Sequence, residues 1–508
     1  MTEVKSTVAE VAFSNALDQL HKLTLDDAKV SPPLQMESPL IRFSTSVQTA
    51  PATKKYGALF ERESNPMQIP SLTKMPTLSE SLKFMSRGEL STRDLVELSI
   101  SSMQETKELG AVVHIDEAAV RREADLLDIE RGRGISRGLL HGIPVTVKDI
   151  IDVAGSPTKA GSLAYSGYPA IDAQSVARLR SSGALMLAKV ATHEFALGVT
   201  TPQCRNPFDP LRIAGGSSGG SAIAVATGVG VASLGTDTRA SLRVPSALCG
   251  TVGFKPTFGR VPTEGLVPLS WTIDHVGPIT RTVRDAAFML NVLSGIQIID
   301  PNVERGDLSG LVVGVVSCTF EDAEPGIAAT VASILPIFEK LGATLLSIDR
   351  PSRSDLDLSN TLGLLISRSE AATVHRALGT NLSLCIPEVR DQLSAALTIS
   401  APDYLDAQRH RSVLSTRMLG VFQECDVLIM PTVPVSTPLW EDYEKHLLHL
   451  SRNAILWSLL GSPAVSMPSG LGLDGMPVGL QLVVAPEQEE LLLRVGIMLE
   501  EELKNELS

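Results

Sequence analysis

The chain has 508 residues and a net charge of −13, with 57 Asp and Glu against 44 Lys and Arg. An acidic chain with no long basic cluster argues against nucleic acid as a partner. At 44 % hydrophobic and 20 % charged residues, the balance is that of a soluble globular protein able to bury a large core.

Nothing at the start resembles a signal peptide, because MTEVKSTVAEVAF lacks a basic start followed by an apolar run. No run is apolar enough to span a bilayer, so no membrane partner is expected. The five cysteines are scattered without a C-x-x-C pair, and the nine histidines without H-E-x-x-H. These read as reduced thiols, no metal site and a cytoplasmic protein.

In chain order, Val4, Val8, Val11, Ala16, Leu20 and Leu23 recur at roughly helical spacing and predict one amphipathic helix over 7–23. From Lys29 to Leu72 the composition turns to Pro, Ser, Thr and charge. Residues 1–72 are therefore read as an N-terminal arm and 73–508 as the main domain. A silent surface arm is one reading; a lid, or an arm that joins two copies in a homodimer, is the other.

Helices are expected over 78–87, 92–105 and 116–132. Thr77 with Glu80 has capping-box spacing, Ser91 with Asp94 an acidic version of it, and Asp116 is a third cap. Ile143–Val147 predicts a buried strand, followed by a helix over 173–182 and a strand over 184–190. After a glycine-rich loop come a helix over 221–230 and a strand over 231–234. Thr282 caps a helix over 283–293, and Leu311–Val316 begins a second αβ run. DVLIMPTVP, SPAVSMPSG and MPVGLQLVV predict three late strands, and 488–502 a last helix. The alternation implies an α/β protein with helices on both sides of one large sheet.

The chemistry concentrates in three places. GIPVTVKD ends an apolar run on Lys148, GGSSGGS packs serines between glycines, and GTDTRASLRVPSALCG carries Ser241 on a polar turn. The loop alone is ambiguous among a structural turn, an anion-binding turn and a nucleophile elbow at Ser217 or Ser218. It is not a P-loop, and the one G-x-G-x-x-G string, GLGLDG from Gly470, falls between two strands. Serines on tight turns with a lysine at a buried strand end suggest a serine hydrolase whose base is lysine.

Taken together, the chain resembles the amidase signature family. The resemblance runs from about Pro76 to Glu502 through HGIPVTVKDIIDVAG, AKVATHEFALG, NPFDPLRIAGGSSGGSA, GFKPTFGRVP, DHVGPITRTVRDAA, DVLIMPTVP and MPVGLQLVV. It implies an α/β amidase signature fold, a large mixed twisted sheet covered by helices on both faces. Lys148 matches the family lysine, Ser217 the bridging serine that members hold on a cis peptide, and Ser241 the nucleophile. Backbone N–H groups of Thr238, Arg239, Ala240 and Ser241 match the oxyanion hole. The implied activity is hydrolysis of an amide or carbamate C–N bond, with esters cleaved by the same chemistry and no cofactor needed.

The chain departs from the family at Arg239-Ala240, where small pairs such as Gly-Gly are usual. If either position requires a positive φ, a side chain there costs about 1–2 kcal/mol. Arg239 is read as pointing away from the pocket and pairing with an acid, with contact to substrate as the alternative. Asp237 and Arg243 are expected to brace the turn as an ion pair, Cys249 and His275 to be structural, and Ser218 and Thr236 to bond the loops. Substrate-contact candidates are Phe195, Gly215, Gly216, Trp271 and Trp457, with Trp440, Ile455 and Leu460 behind them. With no basic cluster evident among these, a neutral, partly apolar small substrate is expected. The alternatives are the glutaminase subunit of a tRNA-dependent amidotransferase and a non-catalytic binding protein on the same scaffold.

Overall fold

In the computed structural model, residues 8–23, 68–303 and 306–506 are described. Most of the expected arm, from Lys29 to residue 67, lies outside them, as does Val4. Among the described residues, eleven strands form one sheet. They are β1 (Val112–His114), β2 (Pro144–Lys148), β3 (Leu185–Val190), β4 (Ala232–Asp237), β5 (Val252–Lys255), β6 (His275–Thr280), β7 (Val312–Val316), β8 (Thr344–Ile348), β9 (Val427–Pro431), β10 (Ala464–Leu471) and β11 (Pro477–Val483). Their order across the sheet is β1-β3-β2-β4-β6-β5-β10-β11-β9-β7-β8. β2 runs parallel to both β3 and β4, and β7 parallel to β8 and β9, while the remaining pairs are antiparallel. The sheet is therefore mixed, as the resemblance implies.

The late strands show how two faces are covered. In β9, Val427 and Ile429 enter one hydrophobic core while Leu428 and Met430 enter a second, the two-residue alternation of a strand buried on both sides. The first core takes the Val283–Ser294 and Glu489–Glu506 helices. The second takes Arg353–Leu378, Ala401–Leu419 and Leu447–Leu459. The N-terminal helix, Val8–His21, docks on this second core through Phe13, Ala16 and Leu20. His21 Nε2 stands 2.8 Å from Asp403 Oδ1. No helix among the described residues is long and apolar enough to cross a membrane.

Local signals are realised closely. Thr77 N donates to Glu80 Oε2 at 2.8 Å, Ser91 N to Asp94 Oδ2 at 2.9 Å, and Ala119 N to Asp116 Oδ1 at 2.9 Å. GLGLDG is the β10–β11 turn. Two expectations need correction. The helix read over 221–230 spans Gly219–Ala226 and so opens inside the glycine loop. β4 extends past Leu234 to Asp237, because the interior supplies partners for Thr236 and Asp237. The Arg353–Leu378 helix carried no clear stripe in the sequence: Asn360, Ser367, Arg368, Glu370 and His375 interrupt its apolar positions.

Candidate active site

β2, an interior strand third from one edge of the sheet, places Lys148 between β3 and β4. The run PVTVK is buried at every position, as a central parallel strand requires, and Lys148 itself is fully buried. Its Nζ lies 2.7 Å from Ser217 Oγ, 2.9 Å from Ser218 Oγ and 2.8 Å from Thr236 Oγ1. Burial pulls the amine down from 10.5 to about 7, against the opposing charges of Asp237 and Asp274. Ser218 Oγ donates to Thr236 O at 3.1 Å, so its proton is committed and it accepts from Nζ. A neutral amine has two N–H groups and one lone pair. With the N–H groups on Ser218 and Thr236, the lone pair is left for the hydroxyl of Ser217.

The glycine loop reaches Lys148 from the neighbouring layer. The Gly216–Ser217 peptide is cis, and Gly215 has φ +74°. A side chain on Gly216 would place its Cβ 1.8 Å from Thr200 O, so only glycine allows this approach. Thr201 Oγ1 pins the loop, donating to Gly215 O at 3.0 Å and accepting from Gly219 N at 3.1 Å. His193 N donates to Ser217 O at 3.1 Å.

Ser241 stands on the turn between β4 and the Arg243–Cys249 helix. Glycine again permits the contact: a Cβ on Gly235 would meet Leu242 Cδ2 at 2.8 Å and Ser218 Oγ at 3.2 Å. Ser217 and Ser218 are fully buried, whereas Ser241 keeps 6 % of its surface open. The turn is braced from below. Arg243 Nε and Nη2 donate to Asp237 at 2.9 and 3.1 Å, and its remaining donors reach Ala454 O, Gln481 Oε1 and Ser458 Oγ at 2.7–2.8 Å. Burial pushes the Asp237 carboxyl up, but the Arg243 charge and hydrogen bonds overcome it and hold the group at about 2. Thr238 Oγ1 donates to Asp274 Oδ1 at 2.6 Å.

Ala240 has φ +152°. This turn position thus holds a conformation unfavourable to a side chain. Arg239 does not share that conformation. The N–H groups of Arg239, Ala240 and Ser241 find no acceptor among the described residues. Buried N–H groups are rarely left so, and three in succession beside a serine form a ready cradle for an oxyanion.

The other expected residues divide. Phe195 is buried with φ +51°, its ring 4.2 Å from that of His375. Trp271 is half exposed and borders a cavity of about 420 Å³ with Glu370, Arg376 and Tyr404. Trp457 is a correction: it is fully buried in the second core against Phe422, with Ile455 and Leu460. Trp440 meets Tyr443 edge to face, with the Arg205 guanidinium 4.8 Å from the centre of its ring. His275 bonds Asp237 O through Nδ1 at 3.1 Å and makes no dyad with Asp274. Among the described residues Arg239 pairs with no acid, and its one hydrogen bond there goes to Asn360 Oδ1 at 3.2 Å.

Sequence reasoning missed Asp274 as the brace of Thr238, which the pairing of Asp237 with His275 across β4 and β6 brings within reach. No group of His, Cys, Asp and Glu among the described residues is arranged to hold a metal.

The sequence profile of the family described as Amidase matches residues 94–493. This chain belongs to the amidase signature family. An "Amidase" of Pseudomonas putida is 36 % identical over 455 residues, covering 85 % of this chain and 96 % of the relative. A protein of Chloroflexus aggregans named as the A-type subunit of glutamyl-tRNA(Gln) amidotransferase is 34 % identical over 466 residues, covering 83 % and 95 %. A solved structure described as an amidase superposes with a TM-score of 0.78 at 36 % identity, covering 84 % of this chain and all of that one. The amidase signature chain is thus an enzyme of a family that acts on C–N bonds of amides.

Proposed function

We propose that this amidase cleaves its substrate through an acyl-enzyme on Ser241, with Ser217 and Lys148 moving the proton. The observation that carries this reading is the fully buried Lys148, held at about 7, with Nζ 2.7 Å from Ser217 Oγ. Neutral Lys148 takes the proton of Ser217 as Ser217 takes that of Ser241. Ser241 Oγ bonds to the scissile carbonyl carbon, and the carbonyl oxygen becomes an oxyanion facing the free N–H groups of residues 239–241. One such donor is typically worth about 3 kcal/mol. The proton returns along the same path to the leaving nitrogen as the C–N bond breaks. Water then repeats the addition, releasing the acid and restoring Ser241.

A carbamate would give a carbamoyl-enzyme and an ester the same acyl-enzyme, so both are proposed as further substrates. Ser241→Ala is expected to abolish amide hydrolysis without lowering thermal stability, and a fluorophosphonate is expected to label Ser241 alone. Label on Ser217 or Ser218 would overturn the assignment. Absence of any label would favour the non-catalytic reading.

The amidotransferase relative supports a second reading, a glutaminase subunit. It predicts a second subunit that copurifies with this chain and raises its glutaminase rate. Full amide turnover by the isolated chain would set that reading aside.

A further inference from the structure

Two buried arginines meet the Arg353–Leu378 helix, Arg239 from the Ser241 turn and Arg368 from the helix itself. Arg239 is 8 % exposed and Arg368 is 5 % exposed. Arg239 spends one of its five N–H donors on Asn360, and its buried Nε has no partner. It lies along the face of the Arg353–Leu378 helix that carries Asn360 and Gly363, and Ser367, whose Oγ donates to Gly363 O at 2.5 Å and accepts from Arg368, links Arg368 to that face. Arg368 donates to Gln392 Oε1 at 2.7 Å, Ser367 Oγ at 3.2 Å and Leu197 O at 3.5 Å.

Neither guanidinium makes an ion pair among the described residues. The one carboxylate whose charge acts on Arg368, Glu388, is 3.5 Å from His193 Nε2 and accepts from Gln392 Nε2 at 3.2 Å. Burial pulls Arg239 down to about 10. Burial and then the charge of Arg239 pull Arg368 down to about 9. Buried charges are normally paired, and two like charges buried near one helix without an ion-paired carboxylate are costly.

We propose that Arg239 and Arg368 form a subsite for a carboxylate carried by the substrate a few bonds from the scissile carbonyl. The proposal rests on the hydrolase reading above and replaces the expectation of a neutral substrate. A planar carboxylate matches the forked donors of a guanidinium. Arg239 belongs to the same turn as the oxyanion N–H groups, so the spacer between carboxylate and carbonyl is short. Asn360, Ser367 and Gln392 surround the pair with polar groups, which suits an anion better than an alkyl chain. The substrate class is a short acid-amide, such as the monoamide of a dicarboxylic acid.

The test compares kcat/KM for malonamate and succinamate with that for propionamide, butyramide and succinamide. A ten- to hundredfold preference for the anionic amides is expected, the size of one or two charge-assisted hydrogen bonds. Arg239→Gln and Arg368→Gln are each expected to remove most of it. A binding readout runs beside the rates: malonate or succinate should slow fluorophosphonate labelling of Ser241 in the wild type and not in the variants. Equal or faster turnover of the neutral amides, or a carboxylate preference that survives both substitutions, would overturn the proposal. Should the variants fail to fold, the wild-type rate ratio and dicarboxylate protection decide it. Labelling without protection or preference sinks only the subsite, whereas no labelling sinks the hydrolase reading itself.

Discussion

Lys148 makes the sharpest demand on rate. At a pKa of about 7, half of the molecules carry a neutral amine at pH 7, whereas an ordinary lysine is neutral in roughly one molecule in 2,500. kcat/KM is therefore expected to climb about fivefold from pH 6 to 7, less than about twofold from 7 to 8, and to flatten above. Lys148→Met should lower kcat by about 10²–10⁴ and erase the acid limb.

The same group sets a stability slope. Its pKa is depressed on folding, so between about 7 and 10.5 the unfolded chain holds the proton that the folded chain has lost. Stability must rise with pH across that window and be insensitive to this group below it. The full penalty is about 5 kcal/mol, and from pH 7 to 9 the wild type should gain about 2 kcal/mol on Lys148→Met. Initial rates on an amide from pH 5.5 to 9.5, with urea unfolding of both proteins at pH 7, 8 and 9, measure both effects. A flat rate profile, or a variant that keeps the wild-type limb, would refute the assignment of Lys148 as the proton acceptor.

Arg243→Met should destabilise the fold by about 3–5 kcal/mol, because it strands the buried Asp237 carboxylate. Arg243→Lys should not rescue it, since one ammonium cannot reach the four partners of the guanidinium; thermal melts decide. Trp457→Ala should cost about 3–5 kcal/mol as a core cavity while leaving rate ratios among amides unchanged. A changed ratio at unchanged stability would return Trp457 to the substrate pocket. The Ser241→Ala and Arg239→Gln experiments complete the set, and their readouts separate the chemistry from the choice of substrate.

What could be read along the chain was local. Cap residues at Thr77, Ser91 and Asp116 announce helices because the bond they make spans three residues. The run PVTVK announces a central strand because no polar alternation interrupts it before Lys148. GGSSGGS and the Ser241 turn are legible because a chain that must approach another backbone closely needs glycine there. The family resemblance joined these pieces into one site, and the Asp237–Arg243 brace was visible as neighbours in sequence.

Only the tertiary structure decided what depends on partners far apart in the chain. Whether Lys148 is an ordinary lysine or one held near neutrality follows from burial beneath three hydroxyls, two of them on another loop. Thr236 and Asp237 read as a turn until the interior supplied Lys148 and Arg243, which carried β4 onward. Trp457 has the composition of either a core or a pocket residue, and only packing against Phe422 settled it as core. Arg239 was expected to find an acid. Its surroundings are set by a helix more than a hundred residues away, where Asn360 accepts one bond and Arg368 adds a second positive charge, and no periodicity or motif encodes that meeting.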